Sequence, residues 1–126
     1  MAPEVFRHEP YNYKVDVYSF SMIVYQLFEH VPPFAGEDPV EAARQAALFD
    51  RRPALRILGG EGKEGGRGWS KPVAAVIEQC WDPDPERRPT FEEVVVVLEG
   101  VLKKVPRPDG SGGGGGGGGV CGCVVQ

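Results

Sequence analysis

Between Val15 and Phe28, apolar side chains fall on every face of the chain: Val15, Val17, Tyr18, Phe20, Met22, Ile23, Val24, Tyr25, Leu27 and Phe28. A helix that is apolar all round is a buried one. The pattern therefore predicts a helix from about Val15 to Phe28 that needs packing partners on all sides. A second helix starts at Asp38, where Asp38-Pro39-Val40-Glu41 offers an N-cap, a proline at the first helical position and an acid three residues after the cap. Val40, Ala43 and Ala47 mark its modest apolar stripe. A third helix runs from about Lys71 to Trp81, with Ser70 as its cap and Val73, Val76, Ile77 and Cys80 spaced i, i+3, i+4, i+7. The fourth opens on Thr90, whose hydroxyl can cap while Glu93 reaches back in a capping box. By propensity Val94-Val95-Val96-Val97 favours a strand, but Phe91, Val94, Val95, Leu98, Val101, Leu102 and Val105 keep the helical period until Pro106. No segment shows a convincing strand pair, so the predicted fold class is mainly α.

Composition narrows the function. The chain has 126 residues with 14 Lys+Arg against 18 Asp+Glu, a formal charge of −4. An acidic balance without a cationic block argues against a nucleic-acid partner, since phosphate neutralisation needs clustered Lys and Arg. The longest apolar-rich run, Phe20 to Phe28, is far short of the roughly 20 residues that cross a bilayer. Three cysteines, Cys80, Cys121 and Cys123, make no disulfide framework and suit a reducing, cytoplasmic compartment. Glycines gather in two places. Gly59 to Gly68 reads as a mobile loop between the second and third helices, and Gly112–Gly119 as a flexible tether in a Pro/Gly-rich tail over 106–126.

Two candidate sites fail on context. Gly60-x-Gly62-x-x-Gly65 matches a phosphate-cradling pattern, but that chemistry needs a strand before the loop and a strand or helix N-terminus after it. Neither is secure here, and Arg67 stands where a kinase glycine loop has valine. Cys121 and Cys123 with His8 and His30 lack the paired spacings of a zinc site, so no metal ligand set is assigned. No Ser/His/Asp or Cys/His arrangement marks a catalytic nucleophile.

Three other segments are more specific. Met1-Ala2-Pro3-Glu4 comes first, then Asp16-Val17-Tyr18-Ser19-Phe20. Further on stands Cys80-Trp81-Asp82-Pro83-Asp84-Pro85-Glu86-Arg87-Arg88-Pro89-Thr90-Phe91. In this order and spacing, residues 1–105 resemble the later part of a protein kinase catalytic domain. Ala2-Pro3-Glu4 resembles the A-P-E that ends the substrate-positioning activation segment, Asp16 to Phe20 the start of the long central helix of the large lobe, and Pro32-Pro33-Phe34 the loop after it. The last motif is similar to that of the tyrosine-kinase-like group, notably plant Raf-like and integrin-linked-kinase-like Ser/Thr kinases. Ser21 stands where many relatives carry glycine, and His30 near another frequent glycine.

The resemblance implies a partial helical large lobe, an ion pair between Glu4 and Arg88 shielded from water, and an Asp16 that supports the catalytic-loop backbone. It implies a parent Ser/Thr kinase that uses ATP and Mg²⁺ and acts on protein substrates or signalling partners. The glycine-rich phosphate cover, the β3 lysine, H-R-D and D-F-G do not occur in residues 1–126. The expectation is therefore a fragment, or the product of a truncated gene, that begins inside the activation segment. Alone it would be inactive and hold no cofactor.

Cys123-Val124-Val125-Gln126 has the form of a C-a-a-X box, in which glutamine at X suits farnesylation. Cys121 could take a second, palmitoyl chain, and two lipid signals are what stable anchoring requires. The rival expectation is thus a non-catalytic interaction module, cytoplasmic and held peripherally at a membrane through a prenyl group.

Overall fold

The computed structural model describes residues 1–56 and 70–105. Within them the chain is helical, with no strands among the described residues: α1 Pro3–Phe6, α2 Lys14–Glu29, α3 Pro39–Leu48, α4 Lys71–Cys80, a 3₁₀ turn Pro85–Arg87, and α5 Phe91–Leu102. The Gly59–Gly68 segment, the tail over 106–126, and Cys121 and Cys123 lie outside the described residues.

Local chemistry starts these helices. The Asp38 carboxylate accepts hydrogen bonds from the Val40 and Glu41 amides, and Pro39 fixes the first helical φ. At α5 the Thr90 hydroxyl accepts from the Glu93 amide and the Glu93 carboxylate accepts from the Thr90 amide, two otherwise orphaned donors satisfied together. This cap and the helical period overcome the strand preference of four successive valines. Ser70 stands at the N-cap position of α4, but its hydroxyl makes no capping bond. His30 ends α2 in the left-handed region at φ 57°, with its amide on the Gln26 carbonyl. That geometry favours glycine.

The core is built where α2, α4 and α5 meet. Val17, Tyr18, Val24 and Tyr25 of α2 pack with Val73, Ala74, Val76, Ile77 and Cys80 of α4, Trp81 and Val94. Tyr25 and Trp81 rings lie 6.4 Å apart. On α2 the described residues supply only part of the packing that its apolar pattern asks for. Val17 and Tyr18 are fully enclosed, but Ile23 and Leu27 remain 60% and 65% exposed. The described chain covers one side of the helix and leaves the opposite stripe open.

The α3 stripe also differs from its prediction. Val40 is exposed, and Ala42, Ala46 and Ala47 are the buried positions. Alanine carries little hydrophobic signal, so the one valine misled the phase. What orients α3 is polar: Arg7 Nη1 donates to the Ala47 carbonyl at 2.7 Å, and Arg52 Nη1 donates to the Ala46 carbonyl at 2.9 Å.

Candidate functional site

Ala2 is extended, and Pro3 opens the single turn of α1. That turn points Glu4 inward, where it is 1% exposed. Arg88, equally enclosed, arrives 84 residues later from the segment between the 3₁₀ turn and α5. The two meet as parallel prongs, Nη1 on Oε1 at 2.6 Å and Nη2 on Oε2 at 2.9 Å. A planar guanidinium matches a carboxylate in this way, and a lysine could not.

Two further donors of Arg88 are also used. Its Nε donates to the Asp82 carbonyl at 2.9 Å and Nη1 donates to the Lys14 carbonyl at 3.1 Å. Lys14, itself buried at the start of α2, returns the bond by donating Nζ to the Arg88 carbonyl. The guanidinium also lies 5.0 Å from the Tyr18 ring centroid, with Arg52 at 5.4 Å from the same ring. One arginine therefore joins α1, α2 and the 82–90 connection.

The electrostatics follow from that enclosure. Burial alone would raise the Glu4 carboxyl, but the hydrogen bonds and charge of Arg88 outweigh it and hold the group below its ordinary value. Burial likewise pushes the Tyr18 hydroxyl up, against the pull of Arg52 and Arg88. Both Glu4 oxygens are committed to Arg88 and Lys14 is committed to a carbonyl. These groups brace the backbone and leave no free base for proton transfer.

Asp16 lies in the first turn of α2 with its side chain exposed. Ser21, fully enclosed, donates its hydroxyl to the Tyr18 carbonyl at 2.6 Å, which satisfies the polar group a glycine would not have brought. Pro32-Pro33-Phe34 forms the turn after α2, with the Arg51 guanidinium 5.1 Å from the Phe34 ring.

Two contributors, Lys14 and Arg52, escaped the sequence reading. Lys14 stands just before the apolar run that begins at Val15, and Tyr18 inside that run was read for its apolar ring and not as a platform for two guanidinium groups. Arg52 ties the end of α3 to α4 by donating Nε to the Trp81 carbonyl at 2.7 Å. Its local signal is no more than a charged pair, Arg51-Arg52, before Pro53.

ATP and Mg²⁺ do not fit what the described residues offer. No cluster of three carboxylate, histidine or cysteine ligands could hold a cation among them, and the one buried lysine is bonded to a backbone carbonyl.

Comparison with known proteins gives the wider setting. The protein kinase domain family matches residues 1–97. The chain is similar to the serine/threonine-protein kinase VIK of Arabidopsis thaliana, 39% identical over 106 residues, covering 84% of this chain and 22% of that protein. It is also similar to integrin-linked protein kinase 1 of the same plant, 34% identical over 102 residues, or 81% of this chain and 20% of that protein. With the serine/threonine-protein kinase CTR1 it shares 37% identity over 112 residues, 88% of this chain and 12% of that protein. The chain spans about a fifth or less of the length of these relatives. Its first and last motifs are joined by a buried carboxylate–guanidinium pair, and the family match over most of its length places the chain in the protein kinase domain family.

Proposed function

We propose that this chain is the closing, non-catalytic segment of a Ser/Thr protein kinase domain of the tyrosine-kinase-like group. The whole domain would transfer the γ-phosphoryl group of ATP, with Mg²⁺, to hydroxyls of signalling proteins. The observation that carries this reading is the Glu4–Arg88 pair. It ties the end of the Ala2-Pro3-Glu4 segment, which in a kinase borders the substrate site, to a helical frame through two bonds of 2.6 and 2.9 Å. Asp16 at the opening turn of α2 would brace a catalytic loop supplied by the rest of the domain.

The motifs that hold nucleotide and metal are missing from residues 1–126, so this chain alone should neither bind ATP nor transfer phosphate. Titration of the purified chain with a fluorescent ATP analogue and Mg²⁺ tests this, and saturable binding would refute it. Reading the nucleotide sequence upstream of Met1 tests the parentage. A continuous frame encoding H-R-D and D-F-G supports the kinase reading, and an in-frame stop close upstream favours a separate module.

The second reading is that module, a lipid-tethered interaction protein. Cys123-Val124-Val125-Gln126 favours it. Incubation with farnesyltransferase and a labelled farnesyl donor, with Cys123→Ser as control, should label the parent chain alone. An unlabelled parent removes the membrane from the account.

A further inference from the structure

The Ala2-Pro3-Glu4 segment is tied to the rest of the fold by more than one route. Glu4 is gripped by Arg88, whose guanidinium rests 5.0 Å from the Tyr18 ring centroid. Arg52 sits at the same ring, 5.4 Å from the centroid. Backbone carbonyls fix it there: Nε donates to Trp81 at 2.7 Å, and Nη1 donates to Ala46 and Arg51, both at 2.9 Å. A second route runs over α3. Carbonyls in the last turn of a helix lack partners within it and attract cations. In α3 arginines take two of them, Arg52 at Ala46 and Arg7 at Ala47, and Arg7 closes α1 three residues after Glu4. Arg52 therefore reaches the segment along both routes, although it makes no hydrogen bond or ion pair with Glu4 itself.

Packing alone does not account for an arginine here. Its Nη2 is buried with no hydrogen-bond partner among the described residues, a cost that an apolar side chain would avoid. The guanidinium fork supplies what an apolar chain would not, a tie to three carbonyls at once with a cation on the Tyr18 ring.

We infer that Arg52 is a positioning residue. Through Tyr18 and Arg88 on one side, and through the last turn of α3 and Arg7 on the other, it sets where the Ala2-Pro3-Glu4 segment lies. The inference rests on the kinase reading above, in which that segment borders the site of the protein substrate.

A double-mutant cycle on the full 126-residue chain tests the coupling. Urea denaturation followed by circular dichroism gives unfolding constants for the wild type, Arg52→Met, Glu4→Gln and the pair. Independent sites add to within about two-fold. Arg52 and Glu4 should depart from additivity by about five-fold or more, while Arg51→Met, which removes the exposed bridge to Glu37, should add with Glu4→Gln. Should the double variant not fold in buffer, the cycle is run with sucrose throughout, which favours the folded state of all four chains. Additivity of Arg52 and Glu4, or equal coupling for Arg51, overturns the inference.

A rate measurement separates positioning from mere support. With residues 1–105 grafted in place of the corresponding segment of the VIK kinase, Arg52→Met should raise KM for the protein substrate about five-fold and leave kcat and KM for ATP within about two-fold. A supporting role would lower kcat with the protein-substrate KM unchanged, and that result overturns the inference too. A graft with no activity before substitution counts against the kinase reading, and the cycle then decides the coupling by itself.

Discussion

Two carboxylates within six residues of each other separate burial from geometry. Glu4 receives Arg88 at 2.6 and 2.9 Å, and Glu9 receives Arg7 at 2.8 and 2.9 Å. Both pairs are two-pronged, yet the first is enclosed and the second open to water. Replacing Glu4 by glutamine keeps the shape and removes the charge. Arg88 then holds a guanidinium at 1% exposure with only neutral carbonyls and an amide around it. Breaking one side of a buried pair costs about 3–5 kcal/mol, and the retained amide oxygen puts Glu4→Gln near 3 kcal/mol. In a domain of this size that lowers Tm by about 12–24 °C. Glu9→Gln should leave stability nearly unchanged, since water solvates both partners once they part. Urea denaturation followed by circular dichroism, at low and high salt, measures both. Salt should shrink the Glu9 effect and spare that of Glu4. Equal losses for the two variants would refute the assignment of Glu4–Arg88 as the structural clamp.

Acid should unfold the chain through Glu4 and a second carboxylate, Glu41. The Glu4 carboxyl sits below its ordinary 4.5 when folded, and hydrogen bonds from Arg44 and Gln45 bring Glu41 down to about 2. Protonation therefore favours the unfolded state, and their contribution is whole above pH 4.5 and lost as pH falls through the folded values. The urea midpoint should be level from pH 7 to 5 and drop below 4.5, with a shallower drop in Glu4→Gln; a midpoint that is flat down to pH 2.5 contradicts this. His30→Gly should raise stability by about 0.5–1 kcal/mol, because φ 57° at the end of α2 suits glycine, and a loss in the same urea assay would show that the imidazole holds something there. Burial pushes the Cys80 thiol up to about 11, so in a Cys121→Ser, Cys123→Ser background it should react with Ellman's reagent at pH 8 only after denaturation. Rapid labelling of the native chain would contradict its place in the core.

Helix positions were legible because caps and period agree. Asp38, Thr90 and Glu93 mark starts by hydrogen bonds made within four residues, and Pro39 by its fixed φ, all of which a sequence displays directly. The valine run shows how such local chemistry decides against propensity. Other features were harder to read for reasons that are equally physical. The single turn of α1 is shorter than any period, and its direction depends on Arg7 reaching α3. The α3 phase rests on alanines and on two arginines bonded to carbonyls, which leave no hydrophobic pattern. The open stripe of α2 could not be told from its covered side, since Phe20, Ile23 and Leu27 are as apolar as Val17 and Val24. Lys14 and Arg52 act on backbone oxygens far along the chain, and no spacing rule announces such bonds. The pairing of Glu4 with Arg88 came from family resemblance, because a contact across 84 residues has no signature in either residue's neighbourhood.

If, as proposed, these residues are the supporting frame of a kinase domain and hold none of its chemistry, they should work inside a relative's domain and not alone. A chimera separates the two. Residues 1–105 replace the corresponding segment of the Arabidopsis kinase VIK, the relative 39% identical over 106 residues, and phosphate transfer from ATP to a protein substrate is measured. The chimera should be active, the same chimera with Arg88→Met should lose activity together with cooperative melting, and the 126-residue chain alone should transfer nothing. A folded but inactive chimera, or transfer by the isolated chain, would contradict the claim.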